Sequence, residues 1–130
     1  MTHALNIAEK AILTIQAADK YSGETLSVKK EEQYTFAVAA DQKWNDWYVR
    51  ASADGYFNFL ASLFGQRVKG IKCFCLCGVY DQNDATAFAI GSSKTIIAGQ
   101  DGTLSFFAND SRGFYFNNKG SIQLSVTRNS

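Results

Sequence analysis

The chain has 130 residues, a length that suits one domain able to bury about two-thirds of its unfolded surface. Its formal net charge is +1 and no long run of one charge sign occurs, so nothing indicates a dedicated nucleic-acid binder, which needs a basic patch. No apolar run approaches the roughly 20 residues of a membrane-spanning helix. The chain has no proline, and its share of glycine and aromatic residues suits an all-β chain.

Residues 1–10 are predicted to form an N-terminal arm, and residues 11–130 a single β-sandwich domain. Residues 4–11 are compatible with a short helix. The N-terminus lacks the basic and long apolar stretches of a secretory signal. Together with an odd number of cysteines, this predicts reduced thiols and a cytoplasmic protein, with release that needs no signal peptide as the alternative.

Alternating apolar and polar residues predict strands over 12–17, 25–28 and 34–39, with turn residues between them. The next stretch is aromatic and polar, with Trp44 and Trp47 only three positions apart. An aromatic face can serve as a platform for the apolar C–H face of a sugar, but large aromatic residues also pack in cores. Both interpretations of this stretch stay open.

A strongly apolar stretch, 71–79, is predicted to be a central strand that carries Cys73, Cys75 and Cys77 at alternate positions. Side chains two apart on a strand are separated by about 6–7 Å along it, so disulfides between these neighbours are not expected. We predict three buried thiols that pack as small apolar groups. Just before them, residues 57–64 are apolar enough for a short helix or a buried loop.

Further short strands are predicted over 85–90 and 93–97, followed by two clear strands over 103–108 and 121–128. The total of about eight or nine short antiparallel strands predicts an all-β, jelly-roll-like β-sandwich.

The polar loop between the last two strands is rich in hard oxygen donors: Asp110 has a carboxylate, and Asn117 and Asn118 have amide carbonyls. Calcium takes roughly 6–8 such oxygens at about 2.3–2.6 Å. Gly113 and Gly120 permit the positive backbone angles that such a loop needs. The alternative is a turn that binds nothing, because Asn, Asp and Gly dominate turns in general.

The loop pattern Asn109-Asp110-x-x-Gly113-x-x-x-Asn117-Asn118-x-Gly120-Ser121, set between two strands, resembles the C-terminal calcium loop of the PA-IL-like bacterial lectins. Residues 38–40 followed by Trp44 are similar to the third strand of that family and the loop behind it. The resemblance covers roughly residues 11–128. It implies a lectin in which calcium is shared between the protein and two hydroxyls of a galactose-type sugar, in a homo-oligomer such as a dimer or tetramer.

The resemblance also implies a set of calcium ligands. They are the side chains of Asp110, Asn117 and Asn118 and the backbone carbonyls of Phe114 and Trp47. These supply about five oxygens, so that about two places remain for sugar hydroxyls.

The sugar-binding residues implied in the same way are Asp110, Asn117, Trp47, Trp44, Phe116 and Gln66. The chain departs from the family pattern at Phe116, where relatives tend to have glycine. It also has no counterpart of the family's sugar-contacting histidine, because His3 is its sole histidine. Gln66 is the candidate for the family's nearby glutamine.

Two other function classes are alternatives to the lectin. One is an interaction domain that binds a protein partner through its aromatic surface, without calcium-mediated sugar binding. The other is an enzyme, which is not expected because the sequence has no paired-carboxylate motif, nucleophile motif or phosphate-binding loop.

Overall fold

The computed structural model describes residues 1–57 and 65–130. These residues form twelve strands and two short 3₁₀ helices. The strands are β1 Thr2–His3, β2 Lys10–Gln16, β3 Thr25–Val28, β4 Gln33–Ala37, β5 Trp44–Asp46, β6 Val49–Ala51, β7 Leu76–Tyr80, β8 Phe88–Ala89, β9 Ser93–Ile97, β10 Gly102–Ala108, β11 Asn118–Lys119 and β12 Ser121–Arg128, and the 3₁₀ helices are Asp84–Thr86 and Arg112–Asn117. The short helix or buried loop predicted over 57–64 lies outside the described residues, apart from Phe57.

Two larger sheets make up the sandwich. One has the order β1-β3-β10-β7-β8 and the other the order β2-β12-β4-β9, while β11-β5-β6 form a small third sheet. All pairings are antiparallel except that of β1 with β3. The predicted all-β sandwich is therefore confirmed.

The core lies between the two larger sheets. The strand predicted over 121–128 is confirmed as β12, and its apolar residues at alternate positions, Ile122, Leu124 and Val126, are all fully buried. Across the sandwich, Phe36 of β4 meets Phe106 of β10 edge to face, with ring centroids 5.8 Å apart. Burial of each such side chain contributes about 1.5–3 kcal/mol, so this layer holds the two sheets together.

The five-stranded sheet is also covered on its outer face. Cys77, Val79 and Phe107 form a second apolar cluster there, against which Val68 and Ile71 pack. A strand buried on both faces reads as a continuous apolar run, which explains why β7 shows no alternation in the sequence.

The strand predicted over 71–79 is too long at its N-terminal end, because β7 begins only at Leu76. Phe74 adopts a left-handed φ of 64°, which interrupts the pleat, so of the three cysteines only Cys77 lies in a strand. All three thiols are buried and free, as predicted.

Two other expectations differ from the structure. In place of a strand over 85–90, a 3₁₀ turn precedes the short strand β8, because the Asn83 side chain accepts a hydrogen bond from the Ala85 N–H at 3.1 Å. In place of a helix over 4–11, the chain start pairs with β3, Leu5 joins the core, and β2 begins at Lys10. Among the described residues, the helices are too short to cross a membrane.

Candidate calcium and carbohydrate site

The small third sheet joins the C-terminal loop to the aromatic stretch. In the pairing of β11 with β5, Asn118 lies opposite Asp46. One residue further, the Trp47 N–H donates a hydrogen bond to the Asn117 carbonyl at 3.2 Å. The structure therefore brings together the two segments from which the calcium ligands were predicted.

The start of the loop is fixed by the fully buried Asn109. Its side-chain carbonyl accepts the Val68 N–H at 3.0 Å, and its amide donates to the Val68 and Ile71 carbonyls, each at 3.0 Å. Its backbone N–H donates to the Cys75 carbonyl at 2.9 Å. With its side chain and backbone engaged, Asn109 holds the following residue, Asp110, in one place.

Three side-chain oxygens of the loop are buried without a hydrogen-bond partner in the described part of the chain. They are Asp110 Oδ2, Asn117 Oδ1 and Asn118 Oδ1. Asp110 is 5% exposed and Asn118 is 4% exposed. An unpaired buried acceptor costs about 1–3 kcal/mol, a cost that a cation bound by these oxygens would offset.

The orientation of two of these side chains is set by neighbouring bonds. The Asn118 amide nitrogen donates to the Ala17 carbonyl at 3.0 Å, which turns its Oδ1 away from Ala17. The other oxygen of Asp110 accepts the Ser111 N–H at 2.7 Å. The residues present therefore fit a hard divalent cation such as calcium, which pairs with carboxylate and amide oxygens.

A second carboxylate and a thiol lie beside Asp110. One oxygen of Asp46, one oxygen of Asp110 and the Cys73 sulfur are all within 4.8 Å of one another. Sequence reasoning did not select Asp46. The available signal was its position directly before Trp47, at the end of a strand that leads to the predicted site.

Burial and neighbouring charges shift the pKa values of Asp110 and Cys73. Burial raises the pKa of the Asp110 carboxyl to about 6, and the negative charge of Asp46 adds to the rise, while the Ser111 N–H and the Asn118 amide oppose it. Burial likewise raises the pKa of the Cys73 thiol to about 12, so this sulfur is a neutral thiol at neutral pH. A cation in the site would offset the cost of the buried carboxylate.

The two tryptophans have different environments. Trp44 is fully buried and packs edge to face on Phe74, with centroids 5.6 Å apart, so its ring belongs to the core and cannot form the predicted sugar surface. Trp47 is 59% exposed and lies against Tyr48 with centroids 4.6 Å apart. The left-handed φ of 55° at Trp47 ends the strand and turns the chain there.

The remaining predicted residues are distributed around the loop. Phe116 is 82% exposed, and its ring centroid is 6.5 Å from that of Phe114. Gln66 is partly buried and directly precedes Arg67, whose N–H donates to the Asp110 carbonyl at 3.1 Å. Gln66 thus adjoins the segment that supports Asp110.

The side chain of Arg67 is buried and supports the loop. Its Nη1 bonds to the Tyr115 hydroxyl at 3.1 Å, and its Nε and Nη2 donate to the Asp84 carboxylate at 3.0 and 3.1 Å. The guanidinium also stacks over the ring of Phe107 at 3.5 Å. Because Tyr115 lies in the 3₁₀ turn Arg112–Asn117, this arginine connects the loop to the second apolar cluster.

Comparison with known proteins gives a structural match but no sequence match. No protein-family model matches the chain, and no curated protein is similar to it in sequence. Among solved structures, the chain is similar to the EclA N-terminal domain, which is described as a PllA-like lectin. The two share 16% identity with a TM-score of 0.66, over 90% of this chain and 94% of that domain. At this identity the match establishes a shared fold, and the chain has the fold of a lectin domain.

Proposed function

We propose that the protein is a calcium-dependent lectin that binds galactose-type sugars through the C-terminal loop. The observation that supports this most directly is the group of three buried, unpaired oxygens on Asp110, Asn117 and Asn118. With the backbone carbonyls of Phe114 and Trp47 they would make a calcium shell that is about two places short of complete. Bound calcium supplies the positive charge that these oxygens lack and open positions for two adjacent sugar hydroxyls.

The surface around the loop suits a sugar ring. Trp47 donates to the carbonyl of Asn117, and Phe116 directly precedes Asn117, so two exposed aromatic rings belong to residues at the ligand segment. Such rings can stack on the apolar C–H face of a pyranose while the hydroxyls face the ion. The protein is proposed to act as a homo-oligomer, since weak single sites gain avidity when several bind one glycan surface.

A glycan array probed in calcium and again in EDTA tests the proposal. We expect binding to galactose-terminated glycans in calcium, loss of binding in EDTA, and recovery when calcium is restored. Asp110→Asn keeps the side-chain shape but removes the charge, so it should lose binding. Asp41→Asn, which removes the same charge from an exposed position, is the matched control and should bind normally.

A second candidate is an interaction domain that binds a protein partner without calcium. The exposure of Tyr48, Phe57 and Phe116 favours it, because aromatic residues are enriched at protein interfaces. The same array separates the two functions. Binding that persists in EDTA and in Asp110→Asn, or an array with no bound glycan, would contradict the lectin and favour the interaction domain.

A further inference from the structure

We infer that Asp46 is an additional metal ligand, which gives the candidate site a second carboxylate. The inference rests on the proposed binding of calcium and concerns what this chain adds to the ligand set implied by the family resemblance. It is carried by the position of Asp46, by the groups that hold its carboxylate, and by the absence of a cation beside it in the described residues.

Position is the first observation. Asp46 lies opposite Asn118 in the pairing of β5 with β11, so the same pair of strands presents both side chains. One of its oxygens is within 4.8 Å of an oxygen of Asp110. Two ligands that are each about 2.3–2.6 Å from one calcium ion are at most about 5 Å apart, and this separation meets that limit.

The groups around Asp46 are the second observation. The Tyr56 hydroxyl and the Cys73 thiol both donate hydrogen bonds to Asp46 Oδ2, the thiol at a sulfur–oxygen distance of 3.6 Å. Tyr56 and Cys73 are themselves joined, because the Tyr56 N–H donates to the Cys73 carbonyl at 2.8 Å. Outer groups that orient a ligating carboxylate in this way are a regular feature of metal sites.

Charge is the third observation. In the described part of the chain, the ion pairs of Lys, Arg and His side chains involve Glu24, Glu32 and Asp84, and none reaches Asp46 or Asp110. Two carboxylates this close repel each other when both are ionised, and a cation bound between them would relieve that repulsion. The Oδ2 of Asp110 and the Oδ1 of Asn118 have no hydrogen-bond partner in the described residues, and both side chains are more than nine-tenths buried. The same cation would stabilise these two oxygens.

A second carboxylate changes what the site can bind. Calcium affinity increases with the number of charged ligands, so the site should be tighter than one with a single carboxylate. With Asp46 the protein supplies about six oxygens, and two sugar hydroxyls would complete about eight, the upper end of the calcium range. Asp46 would therefore raise the affinity for calcium and still leave two coordination positions for sugar hydroxyls.

Calcium titration calorimetry on the intact chain tests the inference. Asp46→Asn should weaken calcium binding at least about tenfold, because it removes one charged ligand while preserving side-chain shape. Asp41→Asn makes the same charge change at an exposed position and should stay within about twofold of the native protein, since exposed charges contribute little. Should Asp46→Asn fail to fold in EDTA, as judged by circular dichroism, Asp46→Ser removes the same carboxylate and takes its place.

Terbium luminescence gives a readout that does not depend on sugar binding. Tb³⁺ substitutes for calcium at oxygen sites, and its emission lifetimes in H₂O and D₂O report how many waters it carries. Asp46→Ala removes the side-chain oxygens altogether, so it should carry one more water than the native protein, while Asp41→Ala at an exposed position should show no gain. Native calcium affinity in Asp46→Asn together with native hydration in Asp46→Ala would overturn the inference and leave the proposed function intact. A native protein that binds neither Ca²⁺ nor Tb³⁺ would overturn both.

Discussion

The guanidinium of Arg67 illustrates how single residues hold this fold. It is buried over the ring of Phe107, it bonds to Tyr115 in the candidate loop, and Asp84 supplies its negative partner. Burial opposes ionisation of Asp84, but hydrogen bonds from Arg67 and Tyr21 and the charges of Arg67 and Arg112 outweigh it, so the pKa of this carboxyl is lowered. The negative charge of Asp84 thus stabilises the buried guanidinium of Arg67.

Asp84→Asn should destabilise the protein by about 3 kcal/mol at neutral pH, because it leaves a buried guanidinium without its counter-charge. The free energy of unfolding from urea titration measures this. Asp41→Asn, at an exposed position, is the control and should change the free energy of unfolding by less than about 0.5 kcal/mol.

The same pair predicts a pH dependence. Since the pKa of Asp84 is lower in the folded protein than the value of about 3.9 in an unfolded chain, its stabilisation is complete above about pH 4 and is lost as the pH falls through the folded pKa. The difference between native protein and Asp84→Asn should therefore shrink in acid. A difference that stays constant from about pH 7 to about pH 3 would contradict this assignment.

Some residues of the candidate site could be selected from the sequence, and others could not. Asp110, Asn117 and Asn118 lie in one loop, so local pattern was enough to select them. Trp44 and Trp47 are three positions apart, yet one is in the core and one is exposed, because β5 ends between them and Trp47 takes a left-handed φ. Asp46 joins the site only through pairing with a strand near the chain end, which no local pattern reports.

At the scale of elements, the tight turn at Gly55 sets the position of Tyr56 beside Asp46. Gly55 has a φ of +75°, and a Cβ there would lie 2.5 Å from the Cys75 nitrogen and closer still to the Cys73 carbonyl. Neither contact can be relieved by a side chain, since both atoms belong to the backbone. Only glycine lets this turn approach the segment that carries Cys73.

Gly55→Ala should cost about 2 kcal/mol or more and should also weaken calcium binding, because relief of the clash moves Tyr56 away from Asp46. Thermal unfolding and calcium calorimetry measure the two effects. Gly23→Ala is the control, since a Cβ at Gly23 meets nothing within 4 Å, and it should leave both quantities nearly unchanged. Normal calcium affinity in a destabilised Gly55→Ala would contradict the link between this turn and the site.

The strands were predictable to different degrees for a physical reason. A strand that exposes one face, such as β3, alternates in the sequence, and it was placed at its observed bounds. The segment before β7 is apolar on both sides, so its composition does not reveal the left-handed Phe74 at which the pleat breaks. The chain start pairs with β3 through long-range contacts, and these outweigh the helix compatibility of residues 4–11.

For the whole molecule, we expect calcium to raise the thermal unfolding temperature. A ligand at about one hundred times its dissociation constant stabilises the folded state by about 2.7 kcal/mol, which is about 10 °C for a domain of this size. Differential scanning fluorimetry in calcium and in EDTA measures the shift. Asp110→Asn should show little shift. An equal shift with magnesium, which requires a tighter octahedral shell, would argue against a specific calcium site.

The proposed ligands come from widely separated parts of the chain, with Asp46 and Trp47 in the first half and the loop from Asp110 to Asn118 near the end. An ion held between them would act as a reversible cross-link that closes a very long segment of polypeptide. Such a link can form only after the sheets have assembled, so it would slow unfolding and leave the folding rate almost unchanged. Calcium would then govern how long the folded protein survives, and the chain would still reach its fold without the ion.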